Sequence, residues 1–259
     1  MFVRPRIIPT MLLREGDLVK TKQFKNPNYL GDPINAIKIF NEKGVDELCI
    51  LDITASQKER EPDMELLKQM ASEAFMPLSY GGGITDISQI KKIFMAGFEK
   101  VILNTSLVNK PELFSEAVKY FGSQSIVASI DYRRRMGREQ CYICDGSWKV
   151  EYSPVELAKK AEEAGAGEIL LYAIDRDGMR NGYDIKTISK VVENVRIPVI
   201  ACGGAGNIDD VKDAFDMSGV HAVAAGSIFV YFGKRSAVLI NFPSENELIQ
   251  KGIYRGANV

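Results

Sequence analysis

Two glycine-rich stretches in the sequence have the composition of an anion-binding turn. Gly81-Gly82-Gly83 and Gly203-Gly204-Ala205-Gly206 each follow a short apolar run and precede a segment of helical periodicity. Backbone N–H groups approach an anion closely in such a turn, with the positive end of a helix behind them. Asn104-Thr105-Ser106 and Gly226-Ser227 follow one unit later and could complete two phosphate cups. The pattern predicts a ligand with a phosphate at each end; tight turns that require a positive φ are the alternative.

Carboxylates follow several of the apolar runs. Asp131 ends Ile-Val-Ala-Ser-Ile, Asp52 ends another run, and Asp177 lies in the loop Asp175-Arg176-Asp177-Gly178. An aspartate at the end of an apolar run is costly to bury unless it is paired or used. We therefore predict that Asp131 is catalytic and that Asp177 lies near the second phosphate cup. For Asp52, a functional role and capping of the following turn are equally good interpretations.

Four charged residues stand at the opposite, N-terminal ends of apolar runs. They are Arg6, Glu47, Lys100 and Glu168. Two positive and two negative side chains at one end of a barrel could close a salt-bridged ring over its axis. From the residues alone, a solvated rim with surface ion pairs of little net value is the favoured interpretation.

Composition excludes several classes of function. Lys plus Arg (33) balances Asp plus Glu (34), so we expect neither nucleic acid nor a membrane as partner. The single histidine, His221, and four scattered cysteines argue against a multi-histidine metal site and a disulfide framework. Cys141-x-x-Cys144 fits a hairpin better than a zinc site. We expect no metal, no cofactor, and a soluble cytoplasmic protein, since no apolar run reaches the roughly 18 residues that span a bilayer.

The elements that must position these residues alternate between short runs rich in Val, Ile and Leu and longer segments of helical periodicity. This alternation is typical of βα units around a parallel sheet. Eight units predict a (βα)8 barrel, with residues 1–259 as one domain. The predicted strands are Arg6 to Leu12, Glu47 to Ile53, Pro77 to Tyr80, Lys100 to Asn104, Ser125 to Asp131, Glu168 to Ile174, Pro198 to Ala201 and His221 to Ala225. Helices are predicted to begin near Asp32-Pro33, Asp63, Asp86, Lys110-Pro111, Ser153-Pro154, Asp184, Asn207 and after Gly233.

An internal repeat supports the same architecture. At an offset of 121 residues, Pro77-Leu-Ser-Tyr-Gly-Gly-Gly-Ile-Thr-Asp-Ile matches Pro198-Val-Ile-Ala-Cys-Gly-Gly-Ala-Gly-Asn-Ile. The register continues to Ser106 and Ser227. A two-fold repeat of two half-barrels, each with four βα units, explains the period and the length.

The sequence resembles the HisF subunit of imidazole glycerol phosphate synthase over about residues 6–229. The matching stretches are Arg6-Ile-Ile-Pro, Val19-Lys20, Asp46-Glu-Leu, Leu51-Asp-Ile-Thr-Ala-Ser, Gly81-Gly-Gly-Ile, Phe121-Gly-Ser-Gln, Gly165-Ala-Gly-Glu-Ile-Leu-Leu, Ile174-Asp-Arg-Asp-Gly and Ile200-Ala-Cys-Gly-Gly-Ala-Gly.

The resemblance implies a barrel that docks on a HisH-like glutaminase and receives ammonia through a charged gate. It places Arg6, Glu47, Lys100 and Glu168 at the gate, which reverses the preference for a solvated rim. It implies phosphate or substrate binding by Lys20 of the first loop and by two further groups, Gly83, Asn104 and Thr105 on one side and Asp177, Gly178, Gly204 and Ser227 on the other.

One departure from the family bears on the chemistry. The family uses aspartates at the ends of strands one and five, whereas Leu12 occupies the first of these places and Asp131 is retained alone. Loss of one acid/base group typically removes about 10²- to 10⁴-fold in rate. Thr10, Met11 and Tyr172 also differ from the usual residues nearby.

A branch of HisF-like proteins encoded with surface polysaccharide genes shares Leu12 and a similar tail from Ala225. The resemblance implies that a HisH-like glutaminase and a separate amidotransferase assist in converting an acetamido sugar into an acetamidino sugar, with a small phosphorylated or nucleotide-sugar ligand. Two alternatives stay open. One is true imidazole glycerol phosphate synthesis in histidine biosynthesis, with chemistry rearranged around Asp131, and the other is a non-catalytic scaffold that activates a glutaminase.

Overall fold

A computed structural model of the chain describes residues 4–233 and 237–255. Within these residues the strands are β1 (Arg6–Arg14), β2 (Asp17–Lys22), β3 (Lys25–Gly31), β4 (Leu48–Asp52), β5 (Leu78–Gly81), β6 (Lys100–Leu103), β7 (Ile126–Arg135), β8 (Arg138–Ile143), β9 (Trp148–Lys149), β10 (Glu168–Ala173), β11 (Val199–Cys202), β12 (Ala222–Ala225), β13 (Tyr231–Phe232) and β14 (Ala237–Val238). The α-helices are α1 (Pro33–Lys43), α2 (Met64–Glu73), α3 (Ile87–Ala96), α4 (Thr105–Asn109), α5 (Pro111–Phe121), α6 (Pro154–Glu163), α7 (Ile185–Val192), α8 (Ile208–Ser218), α9 (Ser227–Val230) and α10 (Glu245–Gln250).

Eight of these strands pair in parallel and close a barrel. Their order around the barrel is β1, β4, β5, β6, β7, β10, β11 and β12, and β12 pairs with β1 to complete the ring. A helix follows each barrel strand along the chain, so the predicted (βα)8 barrel is confirmed. The observed strands agree with the predicted ones to within a few residues, the largest difference being the extension of β7 to Arg135.

Helix starts follow the predicted caps because short polar side chains satisfy the free N–H groups of the first turn. Asp32, Asp63, Asp86, Ser153 and Asn207 each accept a backbone N–H of their own first turn. Helix α5 begins after Lys110 and α7 after Asp184, both without a side-chain cap. The tail contributes the short α9 and, after Ser244, α10.

The two halves of the barrel repeat each other closely. Strand β5 begins at Leu78 and β11 at Val199, and α3 begins at Ile87 and α8 at Ile208; both pairs are 121 residues apart. Identical spacing of strand and helix in the two halves gives the same backbone turn twice, which confirms the predicted repeat.

Two antiparallel hairpins extend from the C-terminal ends of barrel strands, and the first of them, β2–β3, lies outside the predicted elements. Strands β2 and β3 continue from β1, and β8 and β9 continue from β7. The turn between β2 and β3 places Gln23 and Phe24 at φ +55° and +61°. Such turns normally carry Asn-Gly or Asp-Gly, so this pair has no recognisable turn signature.

The barrel has an apolar interior as well as an apolar coat. A separate cluster of buried residues fills the inside of the barrel, including Ile8, Cys49, Ile102, Leu170 and Ala222. The larger cluster lies between the strands and the surrounding helices. In the described part of the chain, every helix is too short or too polar to cross a bilayer.

Candidate functional site

The first glycine turn borders an open cavity at the C-terminal end of the barrel. This first cup has a volume of about 80 Å³. Its lining includes Leu12, Leu51, Asp52, Ser56, Gly81, Gly82, Gly83, Asn104, Thr105, Ser129, Asp131, Asp145 and Tyr172. The structure therefore brings the predicted Gly83, Asn104, Thr105 and Asp131 to one cavity, although they come from three different βα units.

Packing explains why this turn is made of glycines. Gly82 and Gly83 have φ of +126° and +69°. A Cβ on Gly82 would overlap the carbonyl oxygen of Asp52, and a Cβ on Gly83 that of Arg60. The N–H of Gly83 faces the hydroxyl of Ser56 at 3.4 Å, a weak contact that an anion can replace. Close packing and backbone conformation thus both demand glycine at these two positions.

Asn104 and Thr105 connect the first cup to the β8–β9 hairpin. The amide of Asn104 donates to the carbonyls of Ser129 (3.1 Å) and Tyr142 (3.4 Å). The hydroxyl of Thr105 accepts the N–H of Cys144 at 3.2 Å. Both residues therefore hold the hairpin against the barrel mouth.

Asp131 is buried in the first cup with one hydrogen-bond donor. The hydroxyl of Ser129 donates to Oδ1 at 3.0 Å. Burial raises the pKa of Asp131 to about 7, and the Ser129 hydrogen bond opposes the rise. A carboxyl group that titrates near neutral pH can both accept and donate a proton.

Both carboxyl oxygens of Asp52, in the same cup, have protein partners. Its Oδ1 accepts the N–H groups of Thr54 and Ala55 and the hydroxyl of Thr54, each at 3.0 Å. Its Oδ2 pairs with Arg60 at 2.7 Å. Of the two interpretations left open by the sequence, the structure favours capping of the following turn.

The second glycine turn borders a much smaller space. This inner second cup, about 20 Å³, is lined among others by Lys20, Asp177, Gly178, Gly204 and Ser227. It has room for about one water. A Cβ on Gly204 would overlap the carbonyl oxygen of Gly182, so packing again demands glycine.

The protein's own side chains fill the inner second cup. Lys20 lies on β2, is 4% exposed, and donates to the carbonyl of Thr10 at 2.6 Å. Burial lowers the pKa of Lys20, and Asp177 opposes the decrease. Asp177 accepts hydrogen bonds from the hydroxyls of Thr21 (2.5 Å) and Tyr172 (2.9 Å). The β2–β3 hairpin is thereby held over the cup.

Tyr172 and Phe24 separate the two cups. Tyr172 lines both of them and packs edge-on against Phe24, with ring centroids 4.9 Å apart. Gly178 and Ser227 also face an outer recess of about 440 Å³, together with Lys22 and Arg180. Lys20 does not line that recess, so an anion there would meet Lys22 and Arg180 instead.

The four charged residues at the other end of the barrel form a closed ring. Arg6 pairs with Glu47 at 2.7 Å and with Glu168 at 2.5 Å. Lys100 pairs with Glu47 at 3.3 Å and with Glu168 at 2.9 Å. Glu47 is only 6% exposed, so these are not solvated surface pairs. The structure places a ring of alternating charge across the barrel axis, as the resemblance implies.

Three residues of the site were not predicted from the sequence. Asp145 follows β8 and reaches the first cup; Thr21 and Phe24 lie on the β2–β3 hairpin over the second. The only sequence signal for Asp145 is a turn, Asp145-Gly146. Cys141 lies on β8 and Cys144 directly after it, which confirms the hairpin interpretation. In residues 4–233 and 237–255 no cluster of three His, Cys, Asp or Glu is arranged to hold a metal.

Comparison with known proteins identifies the family. The family described as histidine biosynthesis protein matches residues 6–236. A protein of Pseudomonas aeruginosa, named as imidazole glycerol phosphate synthase subunit hisF2, is 50% identical and covers 95% of this chain and 98% of its own. A Vibrio vulnificus protein named as subunit hisF3 is 43% identical over 95% of both chains.

The imidazole glycerol phosphate synthase subunit HisF of Alkaliphilus metalliredigens is 38% identical, covering 88% of this chain and 91% of its own. The closed (βα)8 barrel agrees with these matches. The chain therefore belongs to the histidine biosynthesis protein family and is a HisF-like protein.

Proposed function

We propose that this HisF-like barrel is the ammonia-accepting subunit of a glutamine amidotransferase system. Ammonia released by a HisH-like glutaminase would enter through the Arg6, Glu47, Lys100 and Glu168 ring, cross the barrel and reach an acceptor in the first cup. The acceptor is a small phosphorylated or nucleotide-sugar molecule, and the product of the system is an acetamidino sugar for surface polysaccharide, made with a separate amidotransferase.

The observation that carries this proposal is a ring of charges closed over an apolar interior. Ile8, Cys49, Ile102 and Leu170 lie on the inner side of the barrel. Neutral ammonia can enter such an interior, whereas the ammonium ion is too costly to desolvate. The four ion pairs close the barrel at rest, so passage requires at least one of them to separate.

The N-terminal face of the barrel also has the exposed apolar side chains that a protein partner would cover. Phe75, Met95, Tyr120 and Met217 are 64 to 90% exposed. Each lies at or just after the C-terminal end of its helix, which is the end that surrounds the charged ring. Aromatic residues and methionine are enriched at protein interfaces. The names of the relatives, as subunits of a synthase, support an assembly of this kind.

The role in sugar modification rests on Leu12. It is 1% exposed and lines the first cup, where the family has an aspartate. A leucine cannot accept a proton, which disfavours the cyclase reaction. The small inner second cup also disfavours a ligand that must fit a phosphate against Lys20.

A second candidate is true imidazole glycerol phosphate synthesis. The names of the relatives and the retained Asp131, with its pKa near 7, favour it. Rescue of a histidine auxotroph that lacks the normal cyclase would support this candidate, and failure to rescue would remove it. Unchanged pathway flux with Asp131→Asn would instead favour a non-catalytic scaffold.

The proposal is tested by mixing the barrel with its HisH-like glutaminase and following glutamine hydrolysis. We expect a complex and a stimulated rate. Glu168→Gln, which removes one charge from the ring, should reduce the stimulation by at least about tenfold, since breaking a desolvated charge pair is costly. Glu151→Gln, in an exposed pair with Lys149 at the opposite end of the barrel, is the matched control and should leave the rate unchanged. Absence of both complex and stimulation contradicts the proposal.

A further inference from the structure

Asp145 is held at the first cup by an uncommon backbone conformation. Cys144 and Asp145 follow β8 with φ of +51° and +54°, a region that residues other than glycine seldom adopt. The turn is fastened at both ends, because Thr105 accepts the N–H of Cys144 (3.2 Å) and Arg133 donates to the carbonyl of Gly146 (3.2 Å). Its position is therefore built into the hairpin.

One oxygen of the Asp145 carboxyl group has no protein partner within the part of the chain that the structure describes. Its Oδ2 is buried and has no hydrogen-bond partner among the residues that the structure describes. A buried polar atom without a partner is costly and is normally satisfied by a ligand or water. Asp145 lines the same cavity as Asp131 and Leu12, so its free oxygen is available to a molecule bound there.

The two carboxyl groups influence each other. Burial raises the pKa of Asp145 to about 8, and the charges of Asp131 and Asp52 raise it further. Burial raises the pKa of Asp131 to about 7. Two interacting acids in one cavity lose their protons in separate steps, so the pair holds one proton around neutral pH.

We propose that Asp131 and Asp145 form an acid/base pair for the addition of ammonia to a carbonyl carbon of the acceptor. The inference rests on the proposed function. Asp145 supplies from the β8–β9 hairpin the second carboxyl group that Leu12 cannot supply from β1.

The proposed step is balanced in protons and electrons. The lone pair of ammonia forms a C–N bond while the π electrons of the C=O bond move to oxygen. Asp131, as carboxylate, takes a proton from the nitrogen, and Asp145, as carboxylic acid, donates its proton to the oxygen. The product is a carbinolamine, and the pair starts and ends with one proton.

Other charged or titratable groups face the pair and must be considered in any pH measurement. Asp52 is paired with Arg60, Arg133 acts on Asp131 from the hairpin, and Tyr172 lines the same cavity. Arg14 lines a neighbouring recess together with Asp145, Cys144 precedes Asp145 in the chain, and the charge of Asp131 acts on Cys141. None of these is altered in the variants below.

The pair is tested in the full chain by ¹³C NMR titration of the aspartate carboxyl carbons. We expect Asp131→Asn to lower the pKa of Asp145, because it removes a neighbouring negative charge. Asp145→Asn should leave the pKa of Asp131 in place, because Asp145 is still neutral when Asp131 titrates. Both replacements are nearly isosteric. An unchanged Asp145 titration in Asp131→Asn overturns the pairing.

Sulfate, whose charge is constant in this range, tests whether the pair faces a ligand. Followed through the amide signals of Gly82 and Gly83, sulfate affinity should fall on the order of tenfold from pH 6 to pH 9 as both carboxyl groups ionise. The double variant Asp131→Asn with Asp145→Asn should show a flat profile. A single variant Asp145→Asn that keeps the full wild-type decrease overturns the role of Asp145. Neither experiment uses a glutaminase. A failure of the carboxyl pair can therefore be distinguished from a failure of the proposed ammonia transfer.

Discussion

The two cups have the same kind of glycine turn, but they differ in volume and in the side chains that line them. The first is an open cavity of about 80 Å³ with Asp131 and Asp145 on its wall, whereas the inner second cup has about 20 Å³ and is filled by Lys20 and Tyr172. Gly82 and Gly203 have φ of +126° and +93°, and Gly83 and Gly204 have φ of +69° and +114°, so the repeat keeps positive φ at equivalent glycines. The repeat thus provides two similar glycine turns, and side chains from β2 and β10 determine how much space remains beside the second one.

The largest expected effect is on the closure of the second cup. Asp177→Ala removes the acceptor of Thr21, Tyr172 and the N–H of Phe24, and should lower the free energy of unfolding by about 3 kcal/mol. Urea unfolding measures the loss, and trypsin cleavage at Lys22 or Lys25 reports opening of the hairpin. Asp175→Ala, in the same loop, is the control. Hairpin protection equal to that of the wild type would show that Asp177 does not close the cup.

The next effect concerns the first cup and is an increase in the free energy of unfolding. The raised pKa of Asp131 means that the stability from its protonated form is complete below about pH 4 and is lost as the pH rises through about 7. Asp131→Asn should therefore raise the free energy of unfolding at pH 8 by on the order of 2 kcal/mol.

Asp52→Asn is the matched control for this prediction, because Asp52 lies in the same cup and has Arg60 and the turn as partners. It should lower stability by about 1 to 2 kcal/mol. Urea unfolding between pH 5 and pH 9 separates the two variants. A loss of stability in Asp131→Asn at pH 8 would mean that its burial is not costly.

A smaller effect is expected from removing the hydrogen bond that Tyr172, between the two cups, donates to Asp177. Tyr172→Phe keeps the ring against Phe24 and leaves Oδ1 of Asp177 without its donor. We expect a loss of about 1 kcal/mol in the free energy of unfolding. Tyr142→Phe is the control: its ring lies under Arg133, and its backbone, not its hydroxyl, accepts from Asn104. Equal losses in both variants would remove the special role of Tyr172.

The smallest effect is on the pKa of Asp131 itself. Ser129→Ala removes the hydroxyl that stabilises the carboxylate at 3.0 Å, so the pKa of Asp131 should rise while stability changes by less than about 1 kcal/mol. Carboxyl NMR titration measures the change. Ser79→Ala, also buried but donating to the carbonyl of Leu48, should leave the titration of Asp131 unaltered.

The local sequence predicted the strands and helices of the barrel, but it did not predict the β2–β3 hairpin. Apolar runs, caps such as Ser153 and Asn207, and the repeat each act over a few residues, and the helix and strand positions follow from them. The β2–β3 turn at Gln23 and Phe24 adopts positive φ without glycine or asparagine, so it has no local signature. It is stabilised from a distance, since Gln23 donates its N–H to the carbonyl of Asp177 at 2.9 Å.

The amino-acid sequence alone was enough to locate the eight βα units, the two glycine turns, the four charges of the ring and the apolar Leu12 in the first strand. The three-dimensional packing was needed to learn which cup has more space, where Lys20 lies and that Asp145 shares a cavity with Asp131. The physical reason is that accessible volume and carboxyl pKa depend on neighbours far apart in the chain. Propensity and periodicity report on contacts within a few residues.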